Sequence, residues 1–184
     1  TMGMFLGDDD NTAQSQFEAI AMPHLDAAYN LARWLTRNEH DADDLVQSAY
    51  LRAFRFAGSF RGADARAWLL TIVRNTYYTT LRDGRPQRGN VSFDEELHGA
   101  EAGAQADNDP ARIAAGRDTQ RSVNQALERL PVAFREVLVM KEMDELSYKQ
   151  IAQVADIPIG TVMSRLARAR KMLLDYLKHD AAGD

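Results

Sequence analysis

Apolar residues recur at intervals of three and four positions along most of this chain, and nowhere do they alternate with polar residues over a useful length. Such spacing places them on one face of a helix, whereas a half-buried strand needs a period of two. The first segment with this pattern is 17–35, with a break or a new start at Pro23. The second begins at Asp41, a good N-cap residue, and stops at Gly58. Its predicted inward face is Ala42, Leu45, Val46, Ala49, Tyr50, Ala53 and Phe54. We therefore predict an all-α protein.

A third helical segment follows a short loop, residues 59–65, and is terminated by Gly84 and Pro86. At helical spacing it carries Trp68, Leu69, Ile72, Val73, Thr76 and Leu81. These segments predict a small helical bundle over residues 15–90, which we call the N-terminal block. Before it, residues 1–14 carry an acidic run and are expected to form a disordered tail.

The composition changes between Asp94 and Pro110, where acidic residues occur without any Lys or Arg, among Gly, Ala, Gln and Asn. The acidic residues are Asp94, Glu95, Glu96, Glu101, Asp107 and Asp109. Such a stretch cannot bury a core. We therefore expect residues 91–112 to be an acidic, flexible linker between two small helical domains.

After the linker, residues 113–180 form the C-terminal block, where helical spacing resumes around 123–130 and a new helix begins at Pro131. Ser147 and Gln150 match the capping-box pattern at the start of a short helix. Asp156 then occupies a turn, a position that Asp tolerates in the left-handed conformation. Pro158 fits the first turn of another helix, running to about Leu177. A short helix, a tight turn and a longer helix are typical of the helix-turn-helix DNA-binding motif.

The last predicted helix has a basic outer face. Its inward residues are Val162, Leu166, Ala169 and Leu173, and its outward residues are Thr161, Ser164, Arg165, Arg168 and Lys171. The net charge of the whole chain is -5, which by itself disfavours a nucleic-acid partner. Basic residues cluster over 160–178, where Asp175 is the only acid. For DNA binding this local positive charge matters more than the net charge of the whole chain. Arg can bridge two acceptors of guanine in the major groove, so this face suits duplex DNA.

Several function classes find no support in the residues. The chain has no cysteine, and its 4 histidines are scattered, so no disulfide, thiol chemistry, metal site or other cofactor is expected. No phosphate-cradling loop or nucleophile–base pair emerges, so an enzyme is the least expected class. No long apolar segment or leader is readable, which predicts a cytoplasmic protein without direct membrane insertion.

Both blocks, in this order and with the acidic gap between them, resemble the two-domain RNA polymerase sigma factors of the extracytoplasmic-function (ECF) type. In the first block the resemblance is carried by 41–47, 51–54, 60–62 and 66–75. In the second it is carried by 127–131, 146–148 with 151–152, and 157–170. Agreement at so many spaced positions identifies a family better than a single motif does.

The resemblance implies that the first block is a sigma region 2 domain, which binds the polymerase clamp and reads the minus-10 promoter element as a separated strand. The implied polymerase contacts are Asp41, Asp43, Asp44, Gln47 and Arg52. The loop after Phe60 would receive a flipped base. The implied single-strand contacts are Phe60, Arg61, Gly62, Ala63, Asp64, Asn75, Tyr77 and Tyr78. Trp68 is interpreted as a core residue from its helical phase.

The second block resembles sigma region 4, which implies that its helix-turn-helix reads the minus-35 element. The implied contacts are Thr161, Ser164, Arg165, Arg168 and Lys171. The linker would thread toward the active centre of the polymerase. The implied partners are core RNA polymerase, through its clamp and flap regions, promoter DNA, and an anti-sigma factor. Met163, Ala167 and the shortened loop at 63–65 depart from relatives, so promoter sequence preference cannot be copied from them.

Two other classes remain open at this point. A sigma-like decoy would bind an anti-sigma factor without touching DNA, but it has no need of Arg165 and Arg168 facing outward. A conventional helix-turn-helix regulator would use the first block for a ligand or for dimerisation. Binding to core polymerase distinguishes the sigma factor from this regulator, because a regulator binds duplex promoter DNA alone.

Overall fold

The computed structural model describes residues 6–62, 64–84 and 114–183, and the regular structure in those ranges is helical. The α-helices are α1 (Leu6–Ala21), α2 (Leu25–Thr36), α3 (Glu39–Phe56), α4 (Ala65–Gly84), α5 (Ala114–Arg129), α6 (Val132–Glu142), α7 (Tyr148–Ala155) and α8 (Ile159–Ala182). The prediction of an all-α protein is confirmed. The expected acidic linker, residues 91–112, and Ala63 lie outside the described residues.

The helix boundaries of the N-terminal block follow its breakers, with one difference from expectation. The predicted break at Pro23 is confirmed, since Pro23 lies in a 3-10 turn, Met22–His24, between α1 and α2. Asn38, and not Asp41, is the N-cap of α3: the Asn38 side chain accepts a hydrogen bond from the backbone N–H of Asp41, at 3.0 Å. Asp41 therefore lies in the first turn of α3, where a carboxylate is favoured by the helix dipole.

The predicted disordered tail also differs from the structure, because α1 begins at Leu6. Phe17 packs α1 against α3. It is only 8% exposed, and its ring lies edge-to-face against Tyr50 and Phe54 of α3. An aromatic side chain buried in this way supports the helix on which it lies.

The helix-turn-helix geometry of the C-terminal block follows the sequence closely. Ser147 and Gln150 form the predicted capping box at the start of α7. Asp156 ends α7 in the left-handed conformation, with φ 54° and ψ 51°. Pro158 is the N-cap of α8. The small core between these helices includes Ile151 and Leu166, both almost fully buried.

One apolar cluster runs through both blocks. Within the N-terminal block α2 packs on α3 and α4, and within the C-terminal block α8 packs on α5, α6 and α7. The blocks also pack on each other, α2 against α6 and α4 against α7. We call this surface the interblock interface. The sequence did not predict it.

Polar groups reinforce the interblock interface. The guanidinium of Arg135, which is 2% exposed, donates to the carbonyl oxygen of Trp34 at 2.6 Å. An ion pair also joins Arg33 to Glu128 at 3.3 Å. None of the helices in the described ranges combines the length and apolar composition that a membrane span requires.

Candidate nucleic-acid and polymerase interfaces

The outer face of α8 is available to a partner. Val162, Leu166 and Ala169 are buried against the rest of the C-terminal block, as predicted. On the opposite side Ser164, Arg168 and Lys171 are exposed, and Thr161 and Arg165 are half-buried. All five residues predicted to contact duplex DNA therefore lie on one accessible surface of the second helix of the motif.

Charges on α8 are not all equivalent. Arg170 turns back toward α6 and pairs with Glu142 at 2.8 Å, so its charge is partly neutralised there. The Arg168 guanidinium lies 5.7 Å from the centroid of the Phe134 ring, which orients it while it stays exposed. Ser164 donates its hydroxyl to the carbonyl of Thr161 at 3.1 Å.

The loop before α4 is organised by local contacts. Phe60 packs on Trp68 with ring centroids 4.9 Å apart, so Trp68 is half-buried and not a free stacking platform. A Cβ at Gly62 would meet the Phe60 ring at 3.3 Å, closer than ordinary van der Waals contact, which favours Gly there. Arg61 is exposed and donates to the carbonyl of Gly58 at 2.7 Å.

Asp64 has a structural role that the sequence did not reveal. One carboxylate oxygen accepts from the backbone N–H of Ala67 at 3.0 Å and so caps α4. The other accepts from the side-chain amide of Gln150 at 2.8 Å, across the interblock interface. The hydrogen bond from Ala67, with that from Gln150 and the charge of nearby Arg66, lowers the pKa of the Asp64 carboxyl. In this conformation the loop therefore touches the first helix of the helix-turn-helix.

The other single-strand candidates lie further along α4. Asn75 is exposed, ten positions after the start of α4, which is about 15 Å at the rise of an α-helix. Tyr77 and Tyr78 are half-buried and stack edge-to-face with centroids 5.0 Å apart. Arg74 lies over the Tyr78 ring at 4.6 Å. The candidates thus form a loop group and an α4 group.

The polymerase candidates lie on α3. Asp41, Asp43, Asp44 and Gln47 are exposed, whereas Arg52 is half-buried. Asp44 stands 3.8 Å from His40, one turn earlier. A hydrogen bond to Asp43 raises the pKa of the Tyr29 hydroxyl, which places this hydroxyl of α2 beside the acidic face.

A groove beside these carboxylates was missed. It encloses about 490 Å³ between α1 and α3, and its lining is Gln14, Phe17, Glu18, Met22, Gln47, Tyr50, Leu51 and Phe54. Phe54, predicted to face inward, is 45% exposed because it forms the rim of this groove. Leu51 is 66% exposed. A large apolar residue on the otherwise polar side of α3 is the sequence signal that could have revealed the groove.

Comparison with known families agrees with this arrangement of two blocks. Residues 20–87 match the family model of Sigma-70 region 2, and residues 120–173 match that of Sigma-70 region 4. The ECF RNA polymerase sigma-E factor of Escherichia coli K12 is 34% identical over 137 residues, which are 72% of each chain. The chain belongs to the ECF sigma factors. Proteins of this family are transcription initiation factors of RNA polymerase and not enzymes.

A second relative and two solved structures extend the comparison. The ECF sigma factor SigE of Mycolicibacterium smegmatis is 30% identical over 173 residues, 94% of this chain and 66% of that protein. The sigma factor RpoE in complex with the anti-sigma factor NepR, from Bartonella quintana, superposes with a TM-score of 0.69 at 28% identity, covering 88% of this chain and 96% of that one. CnrH in complex with the cytosolic domain of CnrY gives 0.62 at 25% identity, covering 91% and 90%.

Proposed function

We propose that this ECF sigma factor binds core RNA polymerase in the cytoplasm, directs it to specific promoters and supports their melting, without catalysing a reaction itself. The observation that carries the proposal is the outer face of α8. It presents basic and hydroxyl side chains on the second helix of a helix-turn-helix, inside an acidic protein. Such a face can hold phosphates and read base edges in the major groove.

The minus-35 element is assigned to α8. Arg168 and Ser164 are exposed near its N-terminal half, where a recognition helix contacts base edges. Arg165 and Thr161 lie on the same side of α8. Lys171 extends this surface toward the phosphate backbone of the DNA. Arg168 is the best candidate for a guanine contact, because Arg pairs with both major-groove acceptors of that base.

The minus-10 strand is assigned to the loop at residues 60–65 and to α4. Phe60, Arg61, Gly62, Ala63 and Asp64 form the loop group, and Asn75, Tyr77 and Tyr78 form the α4 group. A loop with an aromatic residue, a glycine and a carboxylate is suited to hold an unstacked base. Aromatic side chains of α4 supply a sequence-tolerant stacking surface for the rest of the strand.

Core polymerase is assigned to α3 and the neighbouring groove, and the flap region to the C-terminal block. The carboxylates of Asp41, Asp43 and Asp44 complement a basic or mixed-charge partner, as expected of steering groups at an interface rim. The exposed apolar side chains of Leu51, Phe54 and Met22 supply a central apolar patch of the kind that anchors protein contacts.

An anti-sigma factor is proposed as a further partner. One solved relative is a complex with an anti-sigma factor and the other a complex with the cytosolic domain of CnrY. Each superposition spans about nine-tenths of this chain, so it includes both blocks. The sigma-like decoy is the second candidate function. The exposed arginines of α8 count against it, since binding an anti-sigma factor alone does not require a duplex-reading face.

The test combines polymerase binding with start-site mapping. The purified chain is mixed with the cognate core RNA polymerase and a promoter pool, and the 5′ ends of the transcripts are sequenced. We expect a tight complex and new start sites that share spaced minus-35 and minus-10 elements. Absence of both core binding and new start sites would contradict the proposal and favour the decoy, which needs only an anti-sigma factor as its partner. Binding to duplex promoter DNA without any affinity for core would indicate a conventional regulator.

A further inference from the structure

Arg74 and Glu136 form a doubly hydrogen-bonded ion pair across the interblock interface. The Arg74 Nε donates to one carboxylate oxygen at 2.8 Å, and its Nη2 donates to the other at 3.0 Å. The Glu136 side chain is fully buried, and that of Arg74 is 17% exposed. The pair thus joins α4, which carries single-strand candidates, to α6 of the other block.

Arg74 is already held in the geometry that recognises a phosphate. Its guanidinium lies over the Tyr78 ring, and Tyr78 in turn packs against Tyr77. The forked edge of the guanidinium remains free of that ring and meets two oxygens of one anion. Arginine binds carboxylate and phosphate through this same pair of parallel hydrogen bonds. The Glu136 carboxylate therefore occupies the place that a backbone phosphate would take.

The net contribution of this ion pair to the packing of the blocks is small, although removal of one partner would leave the other charge buried and unpaired. Burial raises the pKa of the Glu136 carboxyl, against the opposing charges of Arg74, Arg165 and Arg135. The desolvation of such a pair offsets most of its attraction. When the blocks separate, Glu136 regains hydration, and Arg74 is left with a free, oriented guanidinium. Another anion can then replace Glu136 at little cost.

We propose that Arg74 binds a backbone phosphate of the separated promoter strand when the blocks are apart, and that Glu136 holds this same guanidinium when they are together. The inference rests on the proposed function, since it adds a contact to the assigned single-strand surface of α4. It makes strand binding and closure of the blocks mutually exclusive at one side chain.

The test measures closure and strand binding separately. Because the chain has no cysteine, Ser48→Cys on α3 and Asp175→Cys on α8 can be labelled with a donor and an acceptor dye to follow the distance between blocks. Strand affinity is measured on the complex with cognate core polymerase, using a short labelled single-stranded DNA of mixed sequence. The variants are Arg74→Ala, Arg74→Lys and Glu136→Gln. Glu142→Gln is the control, because it makes the same charge change at an exposed position of α6.

We expect Arg74→Ala and Glu136→Gln both to lower energy transfer in the free chain, and Glu142→Gln to leave it unchanged. In the polymerase complex, Arg74→Ala is expected to weaken strand binding about tenfold, as for a charged hydrogen-bonding group. Glu136→Gln should leave it within about twofold, because on the proposed function the blocks are apart in this complex. Arg74→Lys keeps the positive charge but loses the two parallel donors of the guanidinium, so its strand affinity should lie between those of wild type and Arg74→Ala. This variant keeps the inference testable if Arg74→Ala folds poorly.

Equal strand binding by wild type and both Arg74 variants would overturn the inference and leave a purely structural ion pair. Unchanged energy transfer in Glu136→Gln would overturn the exchange of partners. Core association is recorded in the same samples. A wild-type chain that fails to join core polymerase contradicts the proposed function, whereas normal association with an unaffected Arg74 variant contradicts only this inference.

Discussion

Of the two surfaces assigned to promoter DNA, the outer face of α8 is open to solvent, whereas part of the surface formed by α4 and its preceding loop is held against the C-terminal block. Ser164, Arg168 and Lys171 are exposed. By contrast Asp64 is bound by Gln150, and Arg74 is bound by Glu136. Both helices bury one face against their own block, so the difference comes from the packing between blocks.

This difference shows that the two DNA-binding surfaces are not equally accessible in one conformation of the chain. A minus-35 contact through α8 needs no rearrangement of the chain. A strand contact through α4 competes with hydrogen bonds that the chain makes to itself. On the proposed function, melted DNA is therefore bound only after the blocks separate, which couples strand capture to assembly on the polymerase.

The largest expected effect concerns Arg135, whose guanidinium bonds both across the interblock interface and within its own block. Arg135 is buried and donates to the carbonyls of Trp34, Glu128 and Leu130. Arg135→Ala leaves these acceptors without the guanidinium and should lower the free energy of unfolding by about 3–5 kcal/mol, measured by chemical denaturation.

The matched control is Arg129→Ala. Arg129 forms an exposed ion pair with Asp180 at 3.0 Å within the C-terminal block, and its loss should cost less than about 1 kcal/mol. Similar losses for the two variants would show that Arg135 does not tie the blocks together, and the contrast between open and covered surfaces would lose its basis.

A smaller effect is expected at the open surface. Arg168→Ala should weaken binding of the polymerase complex to a specific promoter by about 1–3 kcal/mol, and this loss should vanish on a promoter with a scrambled minus-35 element. Energy transfer between the blocks should not change, because Arg168 lies outside the interblock interface. Lys178→Ala, exposed on the same helix, is the control. An equal loss of affinity on every promoter sequence would indicate that Arg168 contacts a phosphate and not a base.

The sequence predicted the open surface better than the covered one, and the reason is physical. Periodic spacing places Val162 and Leu166 inward and therefore Arg168 outward, whatever the rest of the chain does. Arg74 and Glu136 are 62 positions apart, and each sits at a polar position that carries no periodic signal of a partner. Long-range pairs of this kind depend on how two blocks meet, which local patterns do not encode.

Errors within the N-terminal block have local causes. Phe54 was expected to be buried, yet α1 covers only one side of it, and the tail had not been expected to form a helix. The sequence predicts Asp41 as the N-cap because it precedes the apolar positions. Asn38 accepts the capping bond instead, so α3 begins before those positions do. The errors at Phe54 and Asp41 concern which neighbours cover a helix and where it begins, and neither changes the helical assignment of α3.

A third prediction concerns pH, and Asp144 carries it. Asp144 lies in the turn after α6, facing Asn30 of α2 and Arg66 of α4. Burial raises the pKa of its carboxyl to about 6, against the hydrogen bond from Asn30 and the charge of Arg66. One of its oxygens is buried without a hydrogen-bond partner. The ionised form is therefore unfavourable while the blocks are together.

The sign follows from the raised pKa. The closed arrangement binds this proton more tightly than a separated one does, so its added stability is complete below the ordinary pKa of 3.8 and is lost as the pH rises through about 6. Asp144→Asn should raise stability at pH 7 by about 1–2 kcal/mol and flatten the dependence of energy transfer on pH between about 4 and 7. An unaltered pH profile would place this carboxyl in water and not at the interface.

The smallest expected effect separates capping from contact between the blocks. Ser147 and Gln150 cap α7 together, but only Gln150 also reaches Asp64 and Arg66. Ser147→Ala and Gln150→Ala should each cost about 1 kcal/mol of stability, because each removes one half of the capping box. Only Gln150→Ala should also lower energy transfer between the blocks, since it alone releases the loop at residues 60–65. If both variants lowered it equally, the loop would be covered through the position of α7 as a whole, and the amide of Gln150 would not be what holds Asp64.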